Sequence, residues 1–203
     1  MALNTYANLK TAIVNQSHRG ELTQDLLDDF IDMTEALMWT MLEIRDMESR
    51  QTANASTRFL ALPDNFIKMR RMTVQTGGNS YEISYKSPEA MTIVNTSGRP
   101  NYFTITSQIE FDKTPDATYT IEMVLLRSLT ALSASNTSNA VLSRFPQIYL
   151  FGCLYHCFNY AVMEDKADRY YQLFIDAIEK ANKQDYKGRF GVAPAMRPEN
   201  RIV

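Results

Sequence analysis

Phe66-Ile-Lys-Met-Arg-Arg-Met-Thr-Val-Gln-Thr-Gly-Gly-Asn-Ser-Tyr-Glu-Ile-Ser-Tyr85 decides how the middle of this chain folds. Phe66 to Gln75 reads as a strand. Gly77-Gly78 supplies a two-residue hairpin turn, because both glycines accept the positive φ that such turns require. Tyr81, Ile83 and Tyr85 alternate on the return strand.

The β pattern extends in both directions. Upstream, Phe59-Leu-Ala-Leu-Pro63 ends at a proline that halts pairing. Downstream, Ser87-Pro-Glu-Ala-Met91 reads as one short helical turn with Pro88 at its first position. Tyr102 to Phe111 and Tyr119 to Leu126 form the last strands, joined through Thr114-Pro115-Asp116, with Tyr119, Ile121, Met123 and Leu125 on one face. A small antiparallel sheet or barrel-like sandwich is expected over 57–128.

Helices are expected on both sides of this block. The first carries Leu9, Ala12 and Ile13 and stops near Gly20, a candidate left-handed position. The second runs from about Leu22 to Ser49, with Leu26, Phe30, Met33, Leu37, Met41 and Ile44 as its buried stripe. Gln51 to Ser56 reads as a polar linker. After a Ser/Asn/Thr-rich loop, Pro146 opens a third helix with Leu150, Leu154, Phe158 and Ala161 on one face. A fourth begins near Asp165, with Ala167, Tyr170, Tyr171, Phe174, Ile178 and Ala181 in register. The fold expected is α+β: a four-helix bundle of N-terminal (1–56) and C-terminal (129–185) helical pairs, an inserted antiparallel β domain (57–128), and an extended tail (186–203).

Composition bounds the function. The chain has 203 residues, enough for one domain or one with a large insertion, and a formal charge of −2. That balance argues against a protein gripping nucleic acid over its whole surface. Charge is split, however. Glu21 to Glu48 holds nine acidic residues against Arg45 alone, whereas Lys183 to Val203 holds five bases against Asp185 and Glu199. Such segments either meet between copies or remain two solvated faces. The acidic stripe Asp25, Asp28, Asp29 and Asp32 is a candidate channel-facing or inter-subunit surface. No signal peptide or bilayer-spanning run is expected. Cys153 and Cys157 lie four apart in a helical pattern, which favours reduced thiols and folding in a reducing cytoplasm.

Catalytic motifs are sparse. Cys153, His156 and Cys157 share one helix, but a fourth metal ligand is wanting beyond distant His18, and a core helix using Cys as a small hydrophobe is the favoured reading. Glu110 and Asp112 stand two apart on a strand, as a glycosidase pair would, or as ordinary surface carboxylates. Lys68-Met-Arg-Arg71 is a basic knot best suited to protecting a strand. No phosphate loop, nucleophile elbow or zinc-protease helix is present. No catalytic, cofactor-binding or metal site is therefore assigned.

Phe59-Leu-Ala-Leu-Pro-Asp-Asn-Phe-Ile-Lys-Met-Arg-Arg-Met72, Ser87-Pro-Glu-Ala-Met91, Gly98-Arg-Pro-Asn-Tyr102 and Phe145-Pro-Gln-Ile-Tyr-Leu-Phe-Gly152, followed by the Tyr170/Tyr171 helix, resemble segments of tailed-phage head–tail adaptor proteins. Helix two, with Glu35 and Arg45-Asp-Met-Glu48, is similar as well. The resemblance implies a non-enzymatic virion protein of the neck or collar, assembled in the host cytoplasm. It implies a twelve-fold ring of copies joining the portal protein to tail nozzle, tube or fibre proteins, with viral DNA passing through the channel and no membrane partner. By the same resemblance, Arg189, Phe190, Arg197 and Arg201 of the tail contact the portal or a neighbouring subunit. Two alternatives stay open: a tail accessory protein with cell-wall hydrolase activity using Glu110 and Asp112, and a tail-completion protein that does not touch the portal.

Overall fold

The computed structural model describes residues 3–190, with side chains through Gly188. It divides into two compact units. One takes the chain up to Arg45 and again from Leu129, and the other is Asp46–Ser128.

The first unit is helical: α1 (Tyr6–Ser17), α2 (Gln24–Met38), a short α3 (Ala140–Arg144), α4 (Pro146–Tyr160) and α5 (Glu164–Phe190). Local chemistry starts these helices. The side-chain oxygens of Thr5, Thr23 and Asn139 accept the backbone N–H groups of Asn8, Leu26 and Leu142, which the first turn would otherwise leave unbonded. Helix α1 ends in a left-handed residue, but this is His18 (φ 55°) and not Gly20. Apolar α4 forms the hub, packing on α1, α2, α3 and α5. Gly152 permits this: a Cβ there would stand 2.3 Å from Thr34 Cγ2 and 3.1 Å from Phe174. No larger residue fits between α2, α4 and α5 at that point.

Helix α2 stops at Met38, eleven residues short of the Ser49 expected from apolar spacing. Its buried face is Leu27, Phe30, Ile31, Thr34, Glu35 and Met38, whereas Met33 is 43% exposed. After Met38 the chain turns through Thr40 N–H to Leu37 C=O and Leu42 N–H to Met38 C=O bonds. Leu42 and Ile44 then enter the core from non-helical backbone. Apolar residues at helical spacing can reach a core from a bent segment too, which is why the period misled.

The C-terminal end also differs. Tyr186 to Phe190 continue α5, so the tail is not extended from Tyr186. The rest of the expected tail, 191–203, lies outside the described residues.

The second unit holds two four-stranded sheets, β1-β8-β3-β4 and β2-β7-β6-β5. The strands are β1 (Glu48–Ala55), β2 (Phe59–Leu60), β3 (Phe66–Thr76), β4 (Asn79–Glu82), β5 (Ser84–Tyr85), β6 (Tyr102–Ile105), β7 (Ile109–Phe111) and β8 (Tyr119–Arg127). Met72, Val74, Phe103, Phe111, Ile121, Met123 and Leu125 from both sheets share one core. The β3–β4 hairpin turns at Gly77 (φ 56°) and Gly78 (φ 78°), as the sequence predicts. Two features depart from expectation. Glu48–Ala55, placed at the end of helix two and in a linker, is a full strand paired along its length with β8. The sheet is also mixed, because β5 runs parallel to β6 after the long 86–101 connection.

Strand β3 carries two register shifts against β8, which leave Ile67 and Arg70 as extra residues. Phe66, Met69 and Met72 consequently turn inward at a spacing of three, while Ile67, Lys68, Arg70 and Arg71 are exposed.

Candidate interaction surfaces

Within the helical unit, two buried carboxylates tie irregular backbone to helices. Glu35 on α2 is 4% exposed and accepts the Tyr149 O–H at 2.7 Å and the Leu132 N–H at 3.0 Å. The Tyr149 oxygen in turn accepts Asn139 Nδ2–H at 2.6 Å. Loss of water raises the Glu35 carboxyl above its ordinary range, and the Tyr149 and Leu132 hydrogen bonds pull it part of the way back. Burial, reinforced by the adjacent carboxylate, pushes the Tyr149 phenol far up, so it remains a protonated donor. Asp185 on α5, 3% exposed, accepts the Arg45 N–H at 2.8 Å and has the Arg45 and Arg144 guanidinium groups at 3.7 Å. Asn182, one turn earlier, donates to Met41 C=O and accepts from Glu43 N–H. These three side chains hold 41–45 and 132 in place of a continued helix.

The acidic stripe of α2 is not uniform. Asp25, Asp29 and Asp32 are exposed. Asp28 is engaged within the unit, accepting the Tyr6 hydroxyl and pairing with Lys10 on α1. The surface offered outward is therefore Asp25, Asp29 and Asp32.

On the β unit, Arg99 lies over the Tyr81 ring at 4.0 Å and Lys86 over the Tyr102 ring at 3.7 Å, both tyrosines being exposed. The two carboxylates considered for glycosidic chemistry have structural partners. Glu110 forms an ion pair with Arg58, and Asp112 accepts the N–H groups of Asn101 (2.9 Å) and Tyr102 (3.2 Å) while 3% exposed. One oxygen of each is engaged in holding the β6 approach and the Arg58 loop.

In the helix with Cys153, His156 and Cys157, both cysteines are buried and His156 is half-buried. Cys153 Sγ sits 3.5 Å from Thr34 Oγ1 and 3.8 Å from Phe30 C=O, and burial pushes its thiol up to about 12. Burial likewise raises Cys157 and lowers His156. Among the described residues, no three His, Cys, Asp or Glu side chains stand together as a metal would need. Nor is any described helix long and apolar enough to cross a membrane. Of the tail residues, the backbone of Arg189 and Phe190 belongs to α5. Their side chains, with Arg197 and Arg201, lie outside the described residues.

A family model for the SU10 adaptor protein matches residues 4–198, spanning both units. The chain belongs to the SU10 adaptor protein family. It is a structural phage adaptor, associated with the virion and with other head or tail components. A search of curated proteins finds no match. For this adaptor, sequence inspection missed Glu35 and Tyr149 as a bonded pair and Asp185 as an anchor. Glu35 lies four residues after Ile31 and three before Met38 on the buried face of α2, a helical spacing that its charged side chain obscured. Asp185 carried a faint signal, three and four residues past Asn182 and Ala181 on the buried side of α5.

Proposed function

We propose that this SU10-family adaptor is a non-enzymatic ring protein that joins the portal to the tail and continues the DNA channel in twelve copies. The observation carrying this is the family match over residues 4–198, which takes in the helical unit and the β unit together. The helical unit would dock toward the portal, and the β unit toward tail nozzle, tube or fibre proteins. The segment from Arg189, with Phe190, Arg197 and Arg201, would reach the portal or the neighbouring copy. Asp25, Asp29 and Asp32 would line the channel, where negative charge repels DNA and keeps it moving, or would meet the next subunit. Engagement of Glu110 and Asp112 by Arg58 and backbone amides supports the non-enzymatic assignment.

Native mass spectrometry of the full chain tests this. A monomer in dilute solution that becomes a twelve-copy assembly on adding portal is expected. A stable dimer indifferent to portal would refute it. Truncation after Phe190 should abolish portal pull-down; full retention would assign docking elsewhere.

A further inference from the structure

We propose that the α4–α5 turn of one copy seats in the groove beside β3 of the next copy, an inference that rests on the ring assembly proposed above. The turn is an apolar tip facing water: Tyr160, Val162 and Met163 are all exposed, Val162 to 81%. Val162 also adopts φ 55°, the left-handed conformation that closes α4 through Val162 N–H to Asn159 C=O and Met163 N–H to Phe158 C=O. Glycine or asparagine is the ordinary occupant of such a position, and a β-branched side chain is strained there. Neither the backbone nor the solvent favours valine at this site. Its side chain is suited to burial against something outside the chain. Glu164 and Asp165 follow immediately, both exposed.

The β unit has a receptor of matching chemistry. Strand β4 covers the outer edge of β3 only from Thr73 to Thr76, and beside the remaining length lies a groove of about 630 Å³. Met69, Ile83, Phe103 and Ile105 supply its apolar wall. Lys68, Arg70 and Arg71 edge it together with Glu82, Arg70 also reaching Glu48 at 3.8 Å, and Arg71 is exposed along that edge. Charge selects the occupant. Two β3 edges brought together would place Lys68, Arg70 and Arg71 against their own copies and repel. The segment 191–203 carries Arg197 and Arg201 against Glu199, the same sign as the groove. The tip, apolar at Val162-Met163 and acidic at Glu164-Asp165, complements both the wall and the edge. A tip-to-groove contact joins unlike surfaces, so it propagates head to tail and closes into a ring when the rotation permits.

The test uses full chains assembled on purified portal. Chains carrying Val162→Cys are mixed with chains carrying Lys68→Cys and treated with a short bismaleimide. Both positions are exposed, and the native Cys153 and Cys157 are buried. Cross-linked pairs that need both variants are expected. Arg71→Glu and Glu164→Arg should each weaken copy–copy association about tenfold, and the two together should regain most of it. A portal-bound ring that forms without cross-links and tolerates Val162→Asp overturns this contact and leaves the ring standing. No assembly with portal at any concentration overturns both.

Discussion

Tyr149→Phe removes one oxygen from the helical unit and isolates the hydrogen bond between α4 and α2. In the native protein that hydroxyl donates to Glu35 at 2.7 Å and accepts from Asn139 at 2.6 Å. Its loss leaves the Leu132 amide donating to the buried carboxylate, and Asn139 Nδ2 without this acceptor. Hydrogen bonds to a charged group contribute roughly 1.5–3 kcal/mol, so a destabilisation of about 2–3 kcal/mol at pH 7 is expected. The sign of the pH dependence follows from burial. The folded carboxyl titrates above the unfolded one, so the folded state holds more protons across that window and stability falls as pH rises through it. Without the Tyr149 donor the folded value moves higher still. The deficit of the variant should therefore shrink as pH is lowered from 7 toward the ordinary carboxylate range of about 4.3. Trp39, the sole tryptophan, sits at the end of α2 and reports unfolding of this unit by fluorescence in urea. A change below about 0.5 kcal/mol at pH 7, or a deficit that grows on acidification, would refute the assignment of Glu35 as a buried, Tyr149-supported carboxylate.

Gly152→Ala should destabilise by about 1–3 kcal/mol, since its Cβ must displace Thr34 or part α2 from α4, and thermal denaturation will show it. Asp185→Asn leaves fold and secondary structure intact but loosens 41–47, seen as faster amide hydrogen exchange there than in α4. Cys153 and Cys157, both buried with raised thiol pKa, should resist iodoacetamide at pH 8 in the folded protein and react at the rate of unfolding; rapid labelling without denaturant would contradict their burial.

Several elements were legible from residues alone because their cause is local. Gly77-Gly78 dictates the hairpin through positive φ, Pro146 opens α4 by fixing its own φ, and the alternation of Ile121, Met123 and Leu125 marks β8. Basic Lys68-Met-Arg-Arg71 also read as exposed, although the two bulges that expose it needed the pairing with β8 to be seen. What the tertiary structure decided lies where local signals were neutral or misleading. The stretch after Met38 keeps helical apolar spacing, yet Asn182 and Asp185, about 140 positions away, satisfy its backbone and let it leave the helix. Glu48–Ala55 has little apolar content and becomes a strand only because β8 offers an unbonded edge. Burial of Glu35 depends on a tyrosine from α4 arriving at hydrogen-bond distance. Backbone conformational limits and side-chain periodicity act within a few residues and can be read in order along the chain. The partners that satisfy a buried polar group come from anywhere in it, and only the assembled fold names them.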